Sequence, residues 1–490
     1  MRFSKTIPSA FAVAALFAFA PSFTAASNTS IDDEESPGEE EGEDAEDEGP
    51  ETHYFAVVGA DVYTGTGEVL RGATVLAKNG KIGAIGYDIE IPGLDYQADV
   101  SSVDRGYTSE VLDAAGYRVY PGMVAIESSG LLGTGGDFRD SVDPFGQNMI
   151  LGLSTGITST GQSNTAAKLK RYITQDPPVD YDFDGVILRD DCYSNFSWGS
   201  GSSRRSLREK LVRASEYMRE YRQWQIDVKN DKELKEPSKK GVDNSVLEVL
   251  QGTVLAKFRA DNREDLLGIA RIAQEYGFRP VIDGCREGWT IAAELGRAGA
   301  FAIVTPRDRR DKSELLVRDG GSSIENAAIL HAAGVQIAIK PSGRGVSLGG
   351  ITGRDIMHLP VEVGFAIRGG LPEDAAIASV TTVPARMMGV SHRVGSLEVG
   401  KDCDLIVTDG DLLHYQTFVQ WAVIDGQVVY DKQDELYFAH IRPRAETEIA
   451  PLRRLDAGEN EDEDGEDADV DDADDDKKDK KDKQKDEDDD

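Results

Sequence analysis

Val119-Tyr120-Pro121-Gly122-Met123-Val124-Ala125-Ile126-Glu127-Ser128-Ser129-Gly130-Leu131 reads as a short buried strand entered through a Pro-Gly turn and opening into a glycine-rich loop. Upstream of it, Tyr54–Val58, Gly72–Ala77 and Lys81–Gly86 alternate apolar and polar residues, and Lys78-Asn79-Gly80-Lys81 joins the last two through Asn-Gly. Asn-Gly between alternating runs is the strongest short-range hairpin signal, because both central residues of a type I′ turn need positive φ. A small β-domain is therefore expected before the strand. Downstream, Gly156–Thr160, Gly185–Arg189, Val254–Ala260, Arg279–Asp283, Ala302–Pro306 and Val335–Ile339 read as strands. Between several of them lie helical patterns at Arg263–Tyr276, Thr290–Ala298 and Ile324–Ala333, with Gly277, Gly299 and Gly334 as stops. Strands alternating with helices imply a parallel sheet with crossover helices, here a (β/α)8 TIM-like barrel in an α/β chain. A long charged helical pattern, Ser206–Asp231, interrupts the alternation as an insertion at about 200–240, and a further helix is expected over Asp374–Met388.

The 490 residues carry a net charge of −35, but the acidic excess is concentrated in Asp32–Glu51 and Asp456–Asp490. Both runs are too polar to fold and read as solvated tethers; the alternative is a role in solubility or in weak capture of cations or basic partners. Nucleic acid is not an expected partner, since phosphate binding needs clustered Lys and Arg. Arg2 and Lys5, the apolar run Ala10–Ala20 and Thr24-Ala25-Ala26 predict a signal peptide over 1–26 and hence a periplasmic, secreted or cell-surface protein. No later segment reads as a transmembrane helix. Cys192, Cys285 and Cys403 are widely spaced and read as small buried side chains, with one disulfide as the alternative.

The expected organisation is a signal peptide at 1–26, an acidic linker at 27–52, a β-sandwich part at 53–118 and the barrel at 119–390. A second sandwich part at 391–432, an extension at 433–455 and a disordered acidic tail at 456–490 follow.

Several motifs together resemble the amidohydrolase superfamily, in its imidazolonepropionase-like branch. They are Asp61-Val62-Tyr63-Thr64-Gly65, the hairpin 79–86, Leu112-Asp113-Ala114-Ala115-Gly116, the Pro-Gly strand and Thr381-Thr382-Val383-Pro384-Ala385-Arg386-Met387-Met388-Gly389. To these are added Val394–Val407, similar to the family's return into the β-domain, and Trp421–Tyr430, similar to its closing hairpin. The resemblance covers about 54–432. It implies a barrel with a β-sandwich completed from the C-terminal side. It also implies metal-dependent hydrolysis of carbon–nitrogen bonds other than peptide bonds, with a divalent metal as cofactor.

In that family the metal is held by His-x-His on the first barrel strand, a carboxylated Lys or a Glu on the fourth, His residues ending the fifth and sixth, and an Asp ending the eighth. Such ligands lower the pKa of bound water and polarise the scissile carbonyl. At the matching positions this chain has Glu127 and Ser129, then Arg259, then Asp283, then Ser342, with Lys340 two residues before it and no assignable fourth-strand ligand. There are six histidines, at 53, 331, 358, 392, 414 and 440, and only His358 falls where it could approach the barrel mouth. No resident metal or other cofactor is expected. The expectation is a salt-bridged pocket in which Arg259 and Lys340 pair with Glu127 and Asp283, holding a small-molecule ligand without hydrolysis. The alternatives are an oxygen-ligand metal site of Glu127 and Asp283 with Asp137 or Asp190, and acid–base chemistry by Glu127, Asp283 and Ser342. The run Lys340–Gly350 lacks the order of a phosphate loop and reads as a mobile barrel loop. Ser128 and Ser129 lack the Gly-x-Ser-x-Gly setting of a nucleophile.

Overall fold

The computed structural model of the chain describes residues 52–93, 107–133, 141–171, 183–229, 234–313, 317–347, 353–435 and 454–456. The signal peptide expected at 1–26, the linker up to 51 and the acidic tail from 457 onward lie outside the described residues.

The first strands are β1 (Thr52–Tyr63), β2 (Val69–Lys78), β3 (Lys81–Gly86), β4 (Tyr107–Asp113) and β5 (Arg118–Pro121). The Asn-Gly turn forms as its residues dictate: Asn79 and Gly80 have φ of 48° and 77°, and Lys78 faces Lys81 across the ladder. β1 pairs along one edge with β2 and along the other first with β4 and then with β5. The sheet is completed from the far end of the chain by β15 (Leu405–Thr408), β16 (Val419–Ile424), β17 (Gln427–Asp431) and β18 (Arg454–Asp456). Its order is β17-β16-β15-β5-β1-β2-β3, with β4 between β1 and β18. Asp456, expected to head the acidic tail, instead ends β18 opposite Glu110. Phe55, Val57, Val62, Val75, Leu405 and Trp421 form this domain's core.

Pro121-Gly122 carries the chain from β5 into β6 (Met123–Ala125), the first barrel strand. A side chain at 122 would place its Cβ 1.9 Å from Thr158 Oγ1, so glycine is what lets the two strands pass. β6 pairs in parallel with β7 (Ile157–Gln162), and here the expected alternation fails. After β7 the chain reverses into β8 (Thr165–Lys168) and β9 (Ile187–Arg189), both antiparallel. The turn is made by Ser163 and Asn164, both at positive φ (49° and 72°). Without a glycine, this hairpin had no strong sequence signal.

β10 (Tyr193–Phe196), β11 (Leu255–Ala260), β12 (Pro280–Gly284), β13 (Phe301–Val304) and β14 (Gln336–Ile339) form a five-stranded parallel sheet in that order. The strand β10 was not anticipated. Among the described residues no ladder joins this sheet to β6–β9, so the two sheets do not close into one continuous barrel. They are linked by single hydrogen bonds. Val124 N–H donates to Val380 O and Ile339 N–H to Ser379 O on one side, while Asn164 exchanges bonds with Cys192 and Tyr193 on the other. The first link explains a second correction. The helix expected over Asp374–Met388 is two helices, Glu373–Ala378 and Thr382–Met387, because the residues between them lend their carbonyls to β6 and β14.

Register along the parallel sheet sorts the side chains. Phe258, Ile282, Ala302, Ile337 and Ile339 face outward into the larger core under the helices, each large apolar side chain contributing about 1.5–3 kcal/mol by burial. Tyr193, Val281, Phe301, Ile303 and Ala338 face inward with Val124 and Ile126 and fill the interior. Helix Arg263–Tyr276 matches its expected span, started by Asn262, whose Oδ1 accepts the Asp265 N–H, and ended at Gly277 with φ 74°. The inserted helix runs Gly201–Asp227, five residues earlier than expected at its start because Ser200 caps it.

Candidate functional site

At the carboxyl ends of the parallel strands the inward positions change from apolar to charged. Lys257 and Arg259 share a face of β11, and Arg259 lies in register with Asp283 of β12. Lys340 follows β14 directly and Glu127 lies just past β6. Glu127 has φ 56°, uncommon for a residue with a Cβ. It is held there by the next two amides, Ser128 N–H donating to Gly161 O and Ser129 N–H to Arg344 O, both at 3.0 Å.

These residues form one chain of ion pairs. Lys257 Nζ donates to Glu127 Oε1. Arg344 Nη2 donates to Glu127 Oε2 at 3.1 Å and lies 3.7 Å from Asp283 Oδ2. Lys340 Nζ donates to Asp283 Oδ1. The sequence Lys257–Glu127–Arg344–Asp283–Lys340 thus crosses the mouth with three cations against two carboxylates. The side chains of Glu127, Lys257, Asp283 and Lys340 are buried or nearly so, while that of Arg344 is 48% exposed. Tyr193 packs against Lys257: its ring lies 5.2 Å from Lys257 Nζ, and burial pushes its phenol well above the ordinary value.

Two clefts open on this chain and meet at Arg344. One, of about 380 Å³, is lined by Arg259, Asp283, Lys340, Ser342, Arg344 and Arg286 among others. The other, of about 640 Å³, is lined by Glu127, Ser129, Gln162, Asn195, Lys257 and Arg344 among others. All six expected residues, Glu127, Ser129, Arg259, Asp283, Lys340 and Ser342, therefore lie on these clefts. The expected pairing needs one correction. Glu127 is paired by Lys257, one strand repeat earlier than Arg259, because that residue sits deeper on the same face. Arg259 is exposed and has no ion pair among the described residues. Arg286 is neutralised by Asp308 at 2.5 Å and Asp261 at 3.4 Å.

None of the three serines has a base among the described residues. Ser342 Oγ donates only to Arg354 O at 3.5 Å, Ser129 is exposed, and Ser128 Oγ is shared with Thr160 Oγ1. His358 pairs with Asp355 and lines neither cleft. Asp190 accepts a hydrogen bond from Thr165 and also stays off the clefts, and Asp137 lies outside the described residues. Sequence reading missed Lys257 and Arg344. The period of two along β11 signalled the first; the second was hidden in the glycine-rich run 340–350.

The donor set does not fit a catalytic divalent cation. Such an ion needs three or four convergent N or O ligands with free lone pairs. Among the described residues no group of three His, Cys, Asp or Glu side chains converges, and the two mouth carboxylates each hold an ammonium and share a guanidinium.

A model of the amidohydrolase family matches residues 280–435, from β12 with Asp283, through β14, Lys340 and Arg344, to the return of the chain into the β-domain. Curated relatives match over short stretches. "Amidohydrolase tasK" of Hapsidospora irregularis is 35% identical over 94 residues, covering 19% of this chain and 10% of that protein. N-acetylglucosamine-6-phosphate deacetylase of Danio rerio is 37% identical over 68 residues, covering 14% and 16%. The chain thus spans well under two thirds of the length of these relatives. An amidohydrolase structure from Thermotoga maritima superposes with a TM-score of 0.55 at 23% identity, covering 77% of this chain and 99% of that one. That likeness gives the fold, a TIM barrel with an additional β-rich domain. The family match runs through β12 to β14, and so through Asp283, Lys340 and Arg344; over residues 280–435, about a third of the chain, the sequence is similar to the amidohydrolase family.

Proposed function

We propose that the barrel mouth binds a small anionic molecule, in a protein that keeps the amidohydrolase scaffold without metal-bound water as its reagent. The observation carrying this reading is the ammonium group on each mouth carboxylate, Lys257 on Glu127 and Lys340 on Asp283. A cation entering there would have to displace a covalently tethered one. The surplus charge points the other way: three cations face two carboxylates, and Arg259 adds a guanidinium with no ion pair among the described residues. Arg344 keeps donors free on its exposed side, and a planar fork of N–H groups suits a carboxylate.

In this reading Arg259 and Arg344 hold the ligand's carboxylate, and the lysines hold the side chains of Glu127 and Asp283 in place. The four- and five-stranded sheets are read together as the counterpart of the family's (β/α)8 barrel, and the nine-stranded sheet as its β-domain. Export through the segment read as a leader belongs to the same proposal, tested by cell fractionation. The binding test is calorimetric titration of the protein with acetate and succinate. Saturable binding that is lost in Arg259→Gln and Arg344→Gln is expected. Absence of binding, together with metal-stimulated amide hydrolysis lost in Glu127→Gln, would overturn it.

A further inference from the structure

Three arginines line a third cleft, at the opposite end of the parallel sheet. The cleft, of about 320 Å³, is lined by Leu255, Phe301 and Gln336, the first residues of β11, β13 and β14. It therefore lies at the amino ends of the strands, away from the mouth. Among the described residues Arg189, Arg279 and Arg386 line it, and no acidic side chain does.

Each guanidinium is positioned with donors to spare. Arg189 Nη2 donates to Thr253 O at 2.8 Å, and its Nη1 lies where a Cβ at residue 389 would come within 1.8 Å, so Gly389, at φ 75°, is the residue that leaves it room. Arg279 Nε donates to Gly299 O at 3.1 Å, and its guanidinium lies 4.4 Å from the centre of the Phe301 ring. Arg386 makes no hydrogen bond or ion pair among the described residues. Glu398, which feels its charge, is already bonded to Lys401 and Ser396. The thiol of Cys192, which also lines the cleft, is pushed up to about 11 by burial and supplies no negative charge at neutral pH.

Converging guanidinium groups repel one another unless an anion lies between them, and their N–H forks match the oxygens of phosphate. We propose that this cleft binds a phosphate group, free or carried by a small metabolite, at a site separate from the mouth. Calorimetric titration of the full chain with inorganic phosphate tests it. The expected result is saturable binding that weakens by about tenfold or more in Arg386→Gln, where a charged donor is lost. It should disappear in Arg279→Gln/Arg386→Gln and stay unchanged in Arg344→Gln at the mouth. Both substituted side chains are exposed and free of ion pairs among the described residues, and Arg386→Lys, which keeps the charge, should retain part of the affinity. No saturable phosphate binding, binding that survives the double substitution, or binding lost in Arg344→Gln would each overturn the proposal. Failure here would leave the carboxylate reading of the mouth untouched, since that rests on Arg259 and Arg344.

Discussion

Lys257 is the residue on which the mouth's chemistry turns. Its ammonium occupies one side of Glu127, and Glu127 has only Lys257 and Arg344 as charged partners among the described residues. Removing the cation leaves a nearly buried carboxylate half satisfied. Lys257→Met should therefore cost about 1–3 kcal/mol of stability, read as a lower urea midpoint with an unchanged slope. Adding Glu127→Gln to that variant should restore part of the loss, because the orphaned charge is gone. A Lys257→Met protein as stable as the parent would mean that the pair is not formed. At this scale the sequence was legible in kind and imprecise in position. It placed charge at the ends of the strands, and Asp283–Lys340 formed as expected. Arg259 could not be told from Lys257, because both lie on one face and only depth along the strand decides which reaches Glu127.

Among elements, β8 carries a second buried charge that ties the barrel to the β-domain. The side chain of Lys168 is fully buried, and its Nζ lies 2.8 Å from Asp402, 3.0 Å from Asp404 and 2.5 Å from Asp425. Lys168→Met would leave these carboxylates facing one another and should cost on the order of 3–5 kcal/mol, a loss a thermal melt would show at once. The cluster also sets a pH dependence. Burial pushes Asp404 above the usual carboxylate range against the pull of Lys168. Burial would raise Asp402 too, but Lys168, Lys81 and Arg393 outweigh it and hold that carboxyl down to about 2. The native state thus keeps a proton on Asp404 that the unfolded chain releases near pH ~4, so stability from this group falls as pH rises from there through its raised native value. Asp402 acts oppositely, contributing stability above ~4 that is lost as pH falls toward about 2. Asp404→Asn should flatten the first slope and leave the second; urea midpoints between pH 4 and 8 that match the parent's would contradict this. None of this was legible beforehand. Lys168 sits in a strand whose hairpin turn lacks glycine, and Asp402 and Asp404 read only as part of a family return motif.

For the whole molecule, the order of elements was legible because periodicity changes sharply at Pro121-Gly122, from alternating strands to strands separated by helices. What pattern could not supply was how neighbouring pieces join. Two antiparallel strands follow β7 where a parallel sheet was expected, the second of them within the expected strand Gly185–Arg189, and the helix before Gly389 is broken so that its carbonyls can bond β6 and β14. The retained scaffold and the altered mouth make one claim about the molecule: ammonium groups stand where the family's resemblance leads one to expect a metal. The most direct test is elemental analysis for zinc, manganese, iron and nickel on the full chain after dialysis, run beside Glu127→Gln/Asp283→Asn. The account predicts the same trace content in both proteins, since any cations loosely held by the acidic ends would be common to them. About one equivalent of tightly held metal in the parent, lost in the double variant, would contradict it.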